Sequence, residues 1–173
     1  MAEKMNQLDL FFRRKKYPYS ELHDPGICWS QIALAVTSRK GRIIRVLFDW
    51  EWDLRCLLGW LKVNKINLLE QECPLENING EHSIAALIFH FYDSDEEYDD
   101  DLIDKIFNYR AAHGIRFALS GTDVPNIYLG KNNGRHEVSF FDGVISWSYE
   151  IDMKDFFNKI ESNQQLSEIP IEE

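Results

Sequence analysis

The spacing of hydrophobic residues changes twice along this chain, and that change most limits the folds available to it. Apolar and polar residues alternate near the amino end, follow a helical repeat from Leu54 to Phe107, and alternate again from Ile115 to Tyr149. Residues typical of tight hairpin turns join several alternating segments, at Lys40-Gly41, Asn132-Asn133-Gly134 and Asp142-Gly143. Because hairpins pair strands antiparallel, the sequence predicts an α+β fold in which three to four helices pack on an antiparallel meander sheet.

Seven short segments have the alternation expected of strands. They are Leu8 to Phe12, Trp29 to Val36, Arg42 to Phe48, Ile115 to Leu119, Asn126 to Gly130, His136 to Phe141 and Val144 to Tyr149. Alternate side chains of a strand point to opposite faces, so each segment is expected to cover the core with one face.

Four segments have the apolar spacing of amphipathic helices. The first begins at Leu54, with Asp53 or Asp49 placed to cap it, the second runs from about Ser83 to Tyr92, and the last begins at Asp152. The third follows an acidic run and is predicted to end at Gly114. Its inward face is predicted to carry Leu102, Ile103, Ile106 and Phe107.

The length and composition suit one domain. With 173 residues, 45% of them hydrophobic, the chain can form one compact core. We expect a single α+β domain over residues 1–163 and a flexible acidic tail over residues 164–173. No apolar run approaches the ~18 residues of a membrane-spanning helix, and no signal peptide is evident, so a cytoplasmic location without membrane contact is expected.

Negative charge is concentrated in one segment. The chain has 29 acidic and 19 basic residues, and its net charge of −10 disfavours nucleic-acid binding, which requires a cationic surface. Eight of the 29 acidic residues lie between Asp93 and Asp104, with no Lys or Arg among them, and removing these eight leaves 21 against 19 basic residues. Most of the net charge therefore comes from this segment.

A concentrated negative field accelerates association with a cationic partner, so the segment is predicted to bind a cationic protein surface. The predicted binding residues are the eight carboxylates and two neighbouring tyrosines: Tyr92, Asp93, Asp95, Glu96, Glu97, Tyr98, Asp99, Asp100, Asp101 and Asp104. The alternative interpretations are a solvated loop and a calcium loop. The calcium register has Tyr98 where the loop needs Gly and Asp104 where a longer Glu usually binds, so no metal is expected.

Motifs for catalysis are absent from the sequence. No GxGxxG, GxxxxGK[ST], HExxH or GxSxG pattern occurs, so we expect neither an enzyme nor a bound cofactor. A small hydrolase built around His113 or His136 is an alternative that no residue spacing supports. The three cysteines are odd in number and lack CxxC spacing, which favours reduced thiols.

Gln7-Leu8-Asp9-Leu10-Phe11 resembles the QLxLF peptide with which bacterial proteins bind the replication sliding clamp. Such a peptide binds as an exposed extended segment whose last two residues fill an apolar pocket. The resemblance implies an alternative function, a replication-associated adaptor that binds the clamp through Gln7–Phe11. The same residues also fit a first strand, in which Leu8 and Leu10 would be buried.

A second resemblance extends from Trp50 to Tyr149 and consists of aromatic and turn residues. They are Trp50-x-Trp52, Gly59-Trp60-Leu61, Tyr109-Arg110-x-x-His113-Gly114-Ile115-Arg116-Phe117, Gly121-Thr122-Asp123-x-Pro125-x-Ile127-Tyr128, Glu137-Val138-Ser139 and Trp147. This pattern resembles the small acidic immunity proteins encoded beside bacterial polymorphic toxins, including contact-dependent growth inhibition systems. The resemblance implies that the partner is a cognate toxin domain, often a nuclease, and that inhibition is stoichiometric and involves no reaction.

Overall fold

The computed structural model describes residues 5–19 and 26–169, which form two three-stranded antiparallel sheets and six helices. The first sheet contains β1 (Gln7–Arg14), β2 (Trp29–Thr37) and β3 (Ile43–Asp53), and the second contains β4 (Ile127–Asn132), β5 (Arg135–Phe141) and β6 (Ser146–Glu150). The helices are α1 (Leu54–Glu70), α2 (Ile84–Asp93), α3 (Asp100–His113), α4 (Ile115–Ala118), α5 (Met153–Ser162) and α6 (Gln164–Ser167). The predicted α+β class is confirmed, with the strands divided between two sheets.

The first sheet has the order β1-β2-β3, with its core-facing side chains in register. Leu8 lies opposite Val36, and Leu10 lies opposite Leu34. Leu8 and Val36 are fully buried, so the alternation near the amino end does cover the core with one face. Gly41, at a φ of +75°, turns the chain between β2 and β3, a conformation that glycine adopts without strain.

The second sheet is a meander of the order β4-β5-β6. Asn133 and Gly134 have φ values of 49° and 77°, as expected for the two central residues of a type I′ hairpin turn. Gly143 has a φ of 94° and lies in the turn between β5 and β6. Both hairpins predicted in this half of the chain are confirmed.

Helix starts are set by local capping residues. Asp53 accepts a hydrogen bond from the backbone N of Arg55 at the start of α1, Ser83 accepts one from Ala86 at the start of α2, and Asp152 caps α5. Of the two caps proposed for α1, Asp53 is the one that forms. The leucines at i, i+3, i+4 and i+7 of α1 are all buried: Leu54, Leu57, Leu58 and Leu61.

One large hydrophobic cluster connects the two sheets. It contains Leu8 and Ile32 from the first sheet, Leu57 from α1, Ile127 from the second sheet and Phe156 from α5, each at most 2% exposed. Burial of this kind is worth about 1.5–3 kcal/mol for each large apolar side chain, so the shared core is what joins the two sheets into one domain. No helix in the described ranges is both long and apolar enough to span a membrane.

Hydrogen bonds and an ion pair connect residues 6–9 with residues 150–159 beside this core. The backbone N of Asn6 donates to the carbonyl O of Glu150 at 3.2 Å, and the N of Asp152 donates to the O of Asn6 at 3.0 Å. Beside them, the Nζ of Lys159 on α5 forms an ion pair with Asp9 on β1 at 2.8 Å. The first strand and the last long helix therefore depend on each other for position.

Residues 115–119 were predicted to form a strand, and this prediction is wrong. Ile115–Ala118 is a helical turn, α4, that follows α3 after Gly114. Ile115, Ala118 and Leu119 are all buried, a spacing of i, i+3 and i+4 that one turn of helix places on a single side. The apolar residues of the segment fit both the alternation of a strand and the spacing of a helix, and packing against the core selects the helix.

The boundary predicted at residue 163 lies too early. After α5 the chain forms one more helical turn, α6, in which Leu166 is 5% exposed and belongs to the large cluster. Ile169 also packs against that cluster, so residues 164–169 extend the domain. Residues 170–173, the rest of the predicted tail, lie outside the described residues.

Candidate functional site

The acidic segment spans the end of α2, the connection to α3 and the first turns of α3. Asp93 is the last residue of α2, and the side chain of Asp99 accepts a hydrogen bond from the backbone N of Leu102 at 2.8 Å, which caps α3. Asp100 and Asp101 occupy the first turn of α3, where their charge offsets the helix dipole as predicted. The N-terminus of α3 therefore tolerates this density of carboxylates locally.

The eight carboxylates form what we call the acidic surface: Asp93, Asp95, Glu96, Glu97, Asp99, Asp100, Asp101 and Asp104. Each of these residues is exposed. Within the described residues none of them forms an ion pair, although ion pairs occur elsewhere in the fold, for example between Lys159 and Asp9. Their charge is therefore not compensated internally and is available to a partner.

The two tyrosines assigned to this surface have different environments. Tyr98 stacks on Phe91 with ring centroids 4.3 Å apart, and its hydroxyl donates to Glu96 at 3.1 Å. Its ring therefore anchors the α2–α3 connection to α2. Tyr92 is 47% exposed, and the guanidinium of Arg110 lies 4.6 Å from the centre of its ring. Tyr92 is the tyrosine that a partner can reach.

Two apolar residues of α3 were predicted to face inward and instead face outward. Ile103 is 39% exposed and Phe107 is 56% exposed, whereas Ile106 and Tyr109 form the buried side of the helix. Residues one turn apart share a helix face, so Ile103 and Phe107 form an exposed apolar pair next to Asp104. Tyr109 and His113 are buried on the opposite side of α3, and the pattern of apolar residues alone did not place them there.

Arg110 lies between the acidic surface and the second sheet. Its Nε donates to the hydroxyl of Tyr128 on β4 at 3.2 Å, and its guanidinium lies over the Tyr92 ring. Burial alone lowers the pKa of Arg110, but hydrogen bonding and electrostatic interaction with Tyr92 and Tyr128 raise the pKa above its ordinary value. Arg110 is therefore a fixed positive charge in an otherwise acidic region.

The two histidines considered for catalysis, His113 and His136, both lie against backbone carbonyls. His113 is fully buried and stacks on Tyr109 with centroids 3.7 Å apart. Its Nδ1 lies 2.9 Å from the carbonyl O of Tyr109, and its Nε2 lies 3.2 Å from that of Asn67. The Nε2 of His136 lies 3.0 Å from the carbonyl O of Leu69. Both ring nitrogens of His113 are thus enclosed by backbone, which leaves neither for a substrate.

Residues 7–11, predicted as either a clamp-binding peptide or a strand, belong to β1. They pair with β2 over their whole length, from Gln7 opposite Thr37 to Phe11 opposite Ala33. Leu8 is fully buried and Phe11 is 46% exposed. The segment is therefore part of the first sheet, where binding as an extended peptide would require it to leave its partner strand.

The acidic surface, the exposed apolar pair and Arg110 thus lie together around α2 and α3, whereas residues 7–11 lie in the other sheet. Comparison of this chain with protein-family models, curated proteins and solved structures finds no match. Function is therefore inferred from the geometry of the residues themselves.

Proposed function

We propose that this chain is an immunity protein that binds a cognate antibacterial toxin domain in the cytoplasm and neutralises it by stoichiometric occlusion. The observation that carries the proposal is the acidic surface, whose eight carboxylates are exposed and form no ion pair within residues 5–19 and 26–169. Such a protein acts by binding alone, without a reaction, a cofactor or a metal of its own.

A nuclease is the toxin class that this surface fits best. A nuclease must present Lys and Arg side chains to the phosphates of its substrate, so its cleft is cationic. Carboxylates can occupy the places of those phosphates, because Arg binds both groups through the same paired hydrogen bonds. The focused negative field of the acidic surface would also speed association, which matters for an inhibitor that must act before the toxin does.

The exposed apolar pair, Ile103 and Phe107, can supply the binding energy that charge alone does not provide. Protein interfaces gain most of their binding energy from a few apolar or aromatic anchors that exclude water, surrounded by a polar rim. Ile103 and Phe107 lie on α3 with Asp100 and Asp104 on the same helix, which is this arrangement on a small scale. We therefore place the centre of the interface on the exposed face of α3, with the carboxylates around it.

The resemblance to immunity proteins between Trp50 and Tyr149 supports the same proposal from the sequence. The residues that carry it lie on both sides of the acidic surface and include Tyr109, Arg110 and His113 of α3, but none of them belongs to α2 or to the acidic surface itself. A cytoplasmic location belongs to the proposal too, because an immunity protein protects the cell that contains it.

The partner experiment begins with capture of proteins on the tagged chain from a lysate of the native organism, at low and at high salt. The captured protein is then produced alone in a laboratory bacterium, where it should arrest growth, and co-production of this chain should restore growth. A captured protein that does not arrest growth, or an arrest that this chain does not relieve, contradicts an immunity function.

The acidic surface is tested separately with the triple variant Asp99→Asn, Asp100→Asn, Asp101→Asn, in which Asn still caps α3. Its association rate with the purified toxin should fall about tenfold at low salt, and the salt dependence should flatten. The matched control replaces three exposed acids elsewhere, Glu70→Gln, Glu76→Gln and Glu81→Gln. If both triple variants slow association equally, net charge is responsible and the acidic surface is not the interface.

A further inference from the structure

Arg110 is held in place by neutral groups. Its hydrogen bond to the Tyr128 hydroxyl and its contact with the Tyr92 ring fix the guanidinium, yet in the described part of the chain it forms no ion pair with a carboxylate. No carboxylate among the described residues therefore neutralises the charge of Arg110 by direct contact. A half-buried guanidinium of this kind retains several N–H donors for a ligand.

A cavity of about 350 Å³ opens in front of this arginine, between α2 and the second sheet. Its walls include four aromatic rings, the guanidinium and one amide: Phe89, Tyr92, Tyr128, Phe141, Arg110 and Asn126. Asp93 also lines the cavity but forms no ion pair with Arg110. The volume lies at the small end of the range for ligand sites, and the lining is divided between apolar surface and polar groups that can orient a ligand.

A second cavity, of about 490 Å³, shares Arg110 and Asn126 with the first and extends it toward α4. It adds the exposed guanidinium of Arg116 and the hydroxyl of Ser120, with Asp123 also on its wall. The two cavities meet at Arg110 and Asn126, so two arginines lie in this pair of adjoining cavities, which we call the Arg110 cleft.

We propose that this cleft binds a small aromatic molecule carrying an anionic group, a carboxylate or a phosphate. The aromatic ring lies among Phe89, Tyr92 and Phe141, which offer faces and edges for stacking. The anionic group accepts hydrogen bonds from Arg110, with Arg116 adding charge from the second cavity, because a planar guanidinium matches both carboxylate and phosphate oxygens. This binding function differs from the proposed inhibition of a toxin in the charge that it uses, although Tyr92 and Asp93 lie at the border of both sites.

The probes are phenyl phosphate and benzoate, with benzyl alcohol as the neutral ring and inorganic phosphate as the anion without a ring. Each is titrated into the full-length, isotopically labelled protein, and backbone amide shifts are followed by NMR. We expect saturable shifts from at least one anionic aromatic probe, centred on Asn126 and Tyr128, and weaker binding of both control probes. Tighter binding of phenyl phosphate assigns a phosphate ligand, and tighter binding of benzoate assigns a carboxylate.

The variants are Arg110→Gln and Arg116→Gln, with Arg39→Gln in the exposed β2–β3 turn as the matched control. Arg110→Gln should lower the affinity for the anionic aromatic probe by about tenfold or more, which is the usual contribution of a charged hydrogen bond. Arg116→Gln should lower it by less. Arg116 is exposed, so its variant tests the cleft even if Arg110→Gln disturbs the fold. Equal binding of benzyl alcohol, no saturable shift at millimolar probe, or unchanged affinity in both variants would overturn the proposal.

Discussion

Acidification from pH 7 to pH 5 should destabilise this protein through one buried side chain, His113. Burial lowers the pKa of His113 from 6.5 to about 4 and outweighs the backbone carbonyls of Tyr109 and Asn67, which raise it. The unfolded chain therefore binds this proton at a higher pH than the folded protein does. Stability is lost as the pH falls below about 6.5, and the loss is complete below about 4.

The magnitude follows from the difference between the two pKa values. A difference of about 2.5 pH units corresponds to about 3 kcal/mol when the loss is complete, at about 1.4 kcal/mol for each unit. Between pH 7 and pH 5, only part of that range is crossed, and the expected loss is about 2 kcal/mol. The carboxyls of Glu51 and Asp142 have pKa values lowered below 4.5 and 3.8, so their contribution appears only at lower pH.

Urea unfolding followed by tryptophan fluorescence at pH 7 and pH 5, at constant ionic strength, measures this loss. The variant His113→Gln has no such titration, so its free energy of unfolding should change little over the same interval, whatever its starting stability. His82→Gln, at an exposed histidine, is the control and should keep the dependence of the parent. The reasoning would be refuted if the parent protein had the same free energy of unfolding at pH 7 and pH 5. It would also be refuted if His113→Gln kept the pH dependence of the parent.

Two further substitutions test the packing. Leu8→Ala removes a fully buried side chain from the shared core and should lower the free energy of unfolding by about 2–5 kcal/mol in urea titrations; a loss under about 1 kcal/mol would mean that β1 is dispensable to the core. Gly130→Ala should cost about 1–3 kcal/mol, because its new Cβ would lie 2.5 Å from the Tyr109 hydroxyl oxygen and 2.9 Å from the His113 ring. Thermal unfolding of Gly130→Ala combined with Tyr109→Phe should recover part of this cost, and no recovery would mean that another contact is responsible.

Features that depend on neighbouring residues were predictable from the sequence. The starts of α1, α2 and α5 follow from Asp53, Ser83 and Asp152, because a cap acts within three residues of its own position. The hairpin at Asn133 and Gly134 follows from residues that accept a positive φ. The placement of the carboxylates around the start of α3 was predictable for the same reason.

Features that depend on tertiary packing were not predictable. Residues 115–119 satisfy two periodicities, and the choice of a helical turn is made by the core that surrounds it. The outward face of α3 depends on what covers Tyr109 and His113, which one helix alone does not reveal. The Arg110 cleft combines side chains from α2, α3, β4 and β5, and two of them, Phe89 and Phe141, are 52 positions apart, so no local sequence pattern predicts it.

The pairing of Asn6 with Glu150 and Asp152, and of Asp9 with Lys159, has a consequence for biosynthesis. While the chain is being made, β1 can pair with β2 early, but the side chains that α5 covers stay open to water until α5 leaves the ribosome. Contacts between such distant positions slow folding, because a long loop must close before they form. Until α5 docks, the nascent chain therefore exposes part of the apolar face of its first sheet, and exposed apolar surface of this kind favours aggregation.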